Sequence, residues 1–363
     1  MEINNEIKKI GSYSLDDVIF LLKDVGAFVQ EKGNEDREEV IQGGGHYSEM
    51  LPFEYEPSSE YINLFNKSLK DNSLKIAKAV SIVAEAIFKN NSEKVTLISL
   101  ARAGTPFGIL IKRYIKFKYK VDLPHYSVSI IRGKGIDENA LKYIISKHGN
   151  IVQFIDGWTG KGAINGVLKE ACKNFELKYG ILLNNTLAVI SDPGHCSELY
   201  GTREDFLLPS ACLNSTVSGL ISRTILRSDL IGKNDFHGVK VYNNLVSKDL
   251  SNFYIDFISK DFEKLENFSK EEMIFPNFLG KNDIMAIMKL YEIEDINFIK
   301  PGIGETTRVL LRRVPWKILV KNKKSENVKH ILLLAKEKKV EVLEYDFLSY
   351  ECCGIIKSMK KGN

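Results

Sequence analysis

The chain has no apolar run near the ~20 residues a helix needs to span a bilayer. Its first residues, Met-Glu-Ile-Asn-Asn-Glu, lack the basic and apolar pattern of a secretion signal. A helical membrane protein is excluded and a cytoplasmic location is expected. Cysteine is scarce and odd in number: Cys172, Cys196, Cys212, Cys352 and Cys353 show no metal-ligand spacing. The adjacent pair Cys352-Cys353 is a poor disulfide framework, so a disulfide scaffold is excluded and reduced thiols are expected. Neither G-x-x-x-x-G-K-[ST] nor G-x-G-x-x-G occurs, which argues against a P-loop ATPase and a dinucleotide fold.

What is present is ordinary for a globular protein. The 363 residues are 44% hydrophobic and 27% charged, enough for a large core and two or more domains. Charge is uneven. From Asn297 onward there are 15 Lys and Arg against 7 Asp and Glu, while the preceding body is slightly acidic. A basic end of this kind fits an anionic partner, RNA first, although it also fits a solvated lysine face.

The stretch Ile151 to Ile164 organises the rest. Ile151 to Ile155 reads as a buried parallel strand ending on Asp156; Thr159-Gly-Lys-Gly162 is a turn, and a helix follows from about Ala163 to Asn174. Amides of such a turn and the helix dipole converge on one spot, which suits a phosphate. The binding set expected there is Asp156, Thr159, Gly160, Lys161, Gly162 and Ala163. A plain strand-to-helix turn is the alternative.

A second unit repeats the pattern. Val95 to Leu100 reads as a strand running into Ala101-Arg-Ala-Gly-Thr-Pro106 and a helix. Arg102, Ala103, Gly104 and Thr105 would face the same sheet edge. His125 to Ile131 and Asn139 to Lys147 supply an intervening strand and helix. Between them Arg132 and Lys134 sit in a glycine-rich basic loop suited to closing over a polyphosphate. The strand Thr186 to Ser191 ends at Asp192-Pro-Gly-His195-Cys196, again at that edge.

Outside this core, Leu15 to Leu22 reads as an amphipathic helix with Ser14 as N-cap. The loop around Gly43-Gly-Gly45 and His46 is read as either a lid or a packing arm. Leu208 to Thr224 reads as a helix entry rich in hydroxyls, which would favour Cys212 over Cys196 as a reactive thiol. Asp235 to Ile296 reads as helical and mixed. The last segment alternates helix and strand, and its helix start Gly304-Glu-Thr-Thr-Arg308 would offer amides, hydroxyls and a cation to an RNA backbone.

His46-Tyr-Ser-Glu-Met-Leu-Pro52, Ala101-Arg-Ala-Gly-Thr-Pro106, Phe154-Ile-Asp-Gly-Trp-Thr-Gly-Lys-Gly-Ala163 and Pro209-Ser-Ala-Cys-Leu-Asn-Ser-Thr-Val-Ser218 together resemble a known family. It is the phosphoribosyltransferase–Pelota proteins of bacterial tellurite-resistance and stress operons, also labelled the cysteine protease StiP family. The resemblance covers nearly the whole chain. It implies an α/β fold: a phosphoribosyltransferase-like doubly wound parallel sheet (61–296) with an N-terminal arm (1–60) and helical additions, then a small αβ Pelota-type RNA-binding domain (297–363). It also implies 5-phosphoribosyl-1-pyrophosphate or a nucleotide as ligand. Asp156 would hold ribose hydroxyls, and Arg102 to Thr105 with Mg²⁺ would hold departing pyrophosphate. Asp192, His195 and His46 would meet the acceptor in transfer or cleavage of the glycosidic bond. Gly157 stands where that family carries a second acid. Two alternatives remain, a non-catalytic phosphoribosyl sensor reporting through RNA and a cysteine peptidase.

Overall fold

A computed structural model describes residues 7–33, 46–265 and 275–357. Gly43, Gly44 and Gly45 of the expected lid lie outside the described residues. The main sheet contains β1 (Ile19–Leu21), β2 (Thr96–Ala101), β3 (His125–Ile131), β4 (Val152–Trp158), β5 (Leu187–Ser191) and β6 (Leu199–Thr202) in the order β1-β3-β2-β4-β5-β6. Every pair along that path is parallel. The strands read as continuous apolar runs because both faces are covered. Leu97, Ile155, Ala188 and Ile190 enter one core cluster. Ile98, Leu100, Phe154 and Val189 enter the other.

Helices α1 (Ser59–Asn91), α2 (Thr105–Tyr119), α3 (Glu138–His148) and α4 (Ala163–Tyr179) cover the sheet. In α1 the apolar stripe Phe65, Leu69, Ile76, Val80, Val83 and Ile87 recurs at helical spacing and is buried. The chain passes from β2 to β3 on one side, then crosses β2 to reach β4 on the other. That reversal opens a crevice between the carboxyl ends of β2 and β4, the usual place for a ligand in an open parallel sheet.

Three sequence expectations differ from the structure here. Leu15 to Leu22 is not a helix: Ser14 to Asp17 forms a turn and Ile19–Leu21 is an edge strand beside Tyr126 to Val128. Val18, Phe20 and Leu22 enter one cluster while Leu21 enters the opposite one. That is a period of two, which a run buried on both faces does not reveal. Leu208 to Thr224 is not a helix either. It holds two three-residue 3-10 turns, Pro209–Ala211 and Ser215–Val217. Its hydroxyls bond nearby groups instead, Ser218 to the Asn214 carbonyl at 2.8 Å and Ser215 to the Glu54 carboxylate at 2.7 Å. The third difference is one of extent: within 235–296 the described α-helices are α5 (Ser251–Ser259) and α6 (Leu279–Leu290), beside 3-10 helices Asn243–Lys248 and Lys260–Lys264.

A second sheet, β7 (Ile299–Pro301), β8 (Pro315–Val320), β9 (Glu341–Glu344) and β10 (Cys352–Ile356), has the order β7-β10-β8-β9. Helices α7 (Ile303–Arg312) and α8 (Lys329–Glu337) pack Leu310, Ile331 and Ala335 against Ile318 and Val320. On the other face α6 packs Ile284 and Ile287 against Ile299, Leu319 and Ile355. No helix among the described residues is long and apolar enough to cross a membrane.

Candidate functional site

The crevice between β2 and β4 is roofed by the C-terminal module. Arg132, Asp156, Lys161, Lys300, Glu305 and Arg308 line the resulting cavity of about 200 Å³. Strand β4 carries Asp156 to the sheet edge, and Gly157 follows because nothing larger fits. A Cβ there would stand 2.5 Å from the Phe107 ring, so steric exclusion accounts for the missing second acid. Gly162 caps α4 in the left-handed region at φ +74°, where side chains are strained. The Arg308 guanidinium lies over the Trp158 ring at 4.6 Å, closing the roof onto the floor.

Four cations face two carboxylates in this half-buried space. Burial pulls the Lys161 ammonium down to about 8, and Lys300 and Arg132 push it the same way. Lys300 is lowered by burial as well. Burial raises Asp156 to about 6, partly offset by its bond from the Gly157 amide and by Arg308 and Arg132. For Glu305 burial works upward, but Arg308, Lys300 and Arg132 outweigh it and hold the carboxyl below its ordinary range. Asn165, on the cavity floor, donates to the Cys196 carbonyl at 2.7 Å. Its buried Oδ1 has no partner.

Several side chains expected to hold phosphate or pyrophosphate are committed within the protein. The Thr159 hydroxyl donates to Asp192 and is buried. Thr105 pairs with Ser127 at 2.8 Å in the core. Arg102 donates to the Ile221 carbonyl at 2.7 Å, and Lys161 donates to the Ile296 carbonyl at 2.6 Å. Ala103, Gly160, Gly162 and Ala163 do line the cavity. Asp192 is fully buried under Thr159, Arg203 and the amides of Cys196 and Ser197, both at 2.9 Å. It holds the β5–β6 turn together instead of meeting a ligand.

His195 adopts φ +55° and bonds Asn277, and burial lowers its imidazole below the ordinary value. His46 reaches the Arg132 carbonyl at 3.0 Å, and Tyr47 accepts from the Arg132 amide at 2.8 Å. The arm and the basic loop therefore meet, with Lys134 exposed beside them.

The thiols correct the preference for Cys212. That residue closes a 3-10 turn, is fully buried, and has its thiol pushed up to about 12 by burial. No helix start lowers it. Cys196 is raised to about 12 by burial and by Asp192. It lies directly behind the cavity loop: a Cβ on Gly162 would stand 3.0 Å from its Sγ.

The RNA-binding expectation for Gly304, Glu305, Thr306, Thr307 and Arg308 also needs correction, because this helix start faces the body. Thr306 and Thr307 are fully buried. Thr307 bonds the Ile303 carbonyl at 2.8 Å and His330 at 3.0 Å. Two residues that the sequence reading missed dock the module. Buried Asp205 accepts the amides of Ile303 and Glu351, both at 2.9 Å. Tyr350 donates to the Gly160 carbonyl at 2.9 Å. Lys300 was missed too, although a cation next to the Pro-Gly break before α7 was a signal in the sequence.

The comparisons with known proteins agree on the family. A family model described as "Tellurite-like stress resistance cysteine protease StiP" matches residues 11–259. One described as "PELOTA RNA binding domain" matches residues 278–358. A curated relative from Acinetobacter baylyi, "Cysteine protease StiP", is 32% identical over 370 residues, covering 97% of this chain and 95% of the relative. Model and relative are both named for peptidase chemistry, which overturns the expected phosphoribosyl transfer and its class of enzyme. Mg²⁺ was expected only together with departing pyrophosphate. Among the described residues no group of three or more His, Cys, Asp or Glu could hold a metal ion.

Proposed function

Because this chain belongs to the StiP family of tellurite-like stress resistance cysteine proteases, we propose that it is a thiol peptidase joined to an RNA-binding module. Cys196 is the nucleophile and the cation-lined cavity is the substrate groove. The observation that carries this reading is the position of Cys196 immediately behind the loop Thr159 to Gly162. The two amides and the carboxylate around it, Cys196, Ser197 and Asp192, fix the backbone that presents the thiol. In peptide cleavage Sγ bonds to the carbonyl carbon and the amine leaves with a proton; water then releases the acid.

The closed arrangement is a resting one. A thiol held near 12 is ionised at pH 7 in only about one molecule in 10⁵. Activity requires the loop to lift and admit water or substrate to the sulfur. Arg132, Lys161, Lys300 and Arg308 favour acidic peptide segments over basic ones. The main sheet is phosphoribosyltransferase-like in our reading, supported by its crevice between β2 and β4, and such a fold hosts more than one chemistry. The module at 278–358 would bring the peptidase to RNA.

The test is hydrolysis of fluorogenic acidic peptides by the full chain and by Cys196→Ser and Cys212→Ser. Loss in the first variant with retention in the second supports the assignment. Hydrolysis surviving Cys196→Ser would overturn it.

A further inference from the structure

The module has two ends, one held at the cavity and one carrying open surface, although the last turn of α7 also meets the body, Arg312 donating to the Cys212 carbonyl at 3.0 Å and Tyr61 to the Leu311 carbonyl at 2.8 Å. At the first, the helix start after Gly302, the 345–351 turn and the carboxyl ends of β7 and β8 are pinned to the body through Asp205 and Tyr350. Of the residues that the motif would assign to RNA, Thr306 and Thr307 are buried there, and Glu305 and Arg308 line the cavity beside Trp158.

The opposite end carries a different surface. Pro315 and Lys317 face consecutive residues Ile356 and Ile355 of β10, so Trp316 is the extra residue of a β-bulge. Bulges re-aim side chains, and Trp316 is 41% exposed. It is held edge-on to Tyr291 with ring centres 5.9 Å apart. Lys317 stands 5.4 Å from the Trp316 ring. Exposed Arg313 precedes it, and exposed Lys357 donates its amide to the Val314 carbonyl at 3.0 Å. Exposed Lys338 and Lys339 lead into β9 at the residue beside Lys317, since Lys317 and Glu341 are paired in register. Among the described carboxylates near this end, Glu341 is already bonded to Lys317. A flat aromatic ring in a cationic rim fits one unpaired base with its flanking phosphates.

We propose that this end, Trp316 with Arg313, Lys317, Lys338, Lys339 and Lys357, is the RNA-contacting surface, and that it takes single-stranded RNA while the module stays docked. The proposal rests on the RNA-binding reading of the module. The bulge presents the ring for stacking, the lysines hold the backbone, and the helix start serves as the lock against the body.

The test is binding of a short labelled single-stranded oligoribonucleotide of mixed sequence to the full chain across a salt series. Removing a stacking platform with Trp316→Ala should weaken binding roughly 5- to 100-fold. Reversing exposed charges with Lys338→Glu/Lys339→Glu, which leaves the core untouched, should weaken it and flatten the salt slope by about 0.7 per lost phosphate contact. Arg308→Gln should leave affinity unchanged. Loss with Arg308→Gln alone would overturn the proposal and mean that RNA displaces the module from the body. Wild-type protein that captures no RNA would remove the RNA reading itself; capture indifferent to both patch variants would remove only the surface.

Discussion

Asp205 is the sharpest place to perturb this molecule, because one buried carboxylate joins the body to the start of α7 and to Glu351. Burial raises its carboxyl from 3.8 to about 7, against the pull of the two amides it accepts. Below pH 3.8 the folded and unfolded chains both hold the proton. Between 3.8 and about 7 the unfolded chain has released it and the folded chain has not, so stability falls as pH rises. At about 1.4 kcal/mol per unit the whole window amounts to ~4 kcal/mol, complete above pH 7. Asp205→Asn removes the titration but turns an N–H toward one of the two amides, at a cost of about 1–3 kcal/mol. The variant should therefore be less stable than wild type at pH 5, and that gap should shrink by roughly 2–3 kcal/mol by pH 7.5. Urea unfolding read by tryptophan fluorescence suits the measurement, since the chain has two Trp. Trp158 lies at the docking surface under Arg308, so a Trp316→Phe background isolates it. Stability curves that stay parallel from pH 5 to pH 7.5 would refute a proton held by Asp205.

Two further outcomes follow from packing. Gly157→Ala puts a methyl into the Phe107 ring and should cost about 1–3 kcal/mol in urea unfolding; Phe107→Leu in the same chain should recover part of it, and no recovery would place the strain elsewhere. The described cysteines are all buried, and burial raises their thiols far above neutrality. Native protein at pH 7 should thus show no fast-reacting thiol toward a chromogenic disulfide, with the full set of five appearing in denaturant. A fast native thiol would contradict the closed arrangement.

The backbone of the site was more legible than its side chains. Strands β2 and β4, their turns and their helices follow from short apolar runs, glycine placement and helix starts, which are local signals. What each side chain bonds is decided by partners distant in sequence. Thr159 meets Asp192 and Arg102 meets Ile221, and neither pairing leaves a trace in the motif that suggested ligand contact. The same limit applies to Gly304 to Arg308, whose helix start was readable while its docking against Trp158 was not. Gly157 is the reverse case: the odd residue was visible in the sequence, and its cause, the Phe107 ring, was fifty positions upstream.

Docking also decides how the two halves can communicate. Helix α7 runs ten residues from the cavity roof to Arg312, about 15 Å at the usual rise. Its buried face, Ile303, Thr306, Leu310 and Leu311, is packed core that shifts as a unit or not at all. A ligand on the Trp316 end therefore biases the cavity only if it changes the docking equilibrium, since coupling needs a state that both sites favour unequally. The bonds that would have to break are those of Asp205, Tyr350 and Arg308, and all three lie at the cavity end. Arg312 adds a fourth, donating to the Cys212 carbonyl at 3.0 Å. Binding at the far end touches none of the three at the cavity end, although Arg312 adjoins Arg313. On the proposed reading, RNA held there would bring the peptidase to a location, and a trigger that lifts the Thr159 to Gly162 loop would act at the cavity itself, where Lys161 and Lys300 would meet an acidic segment.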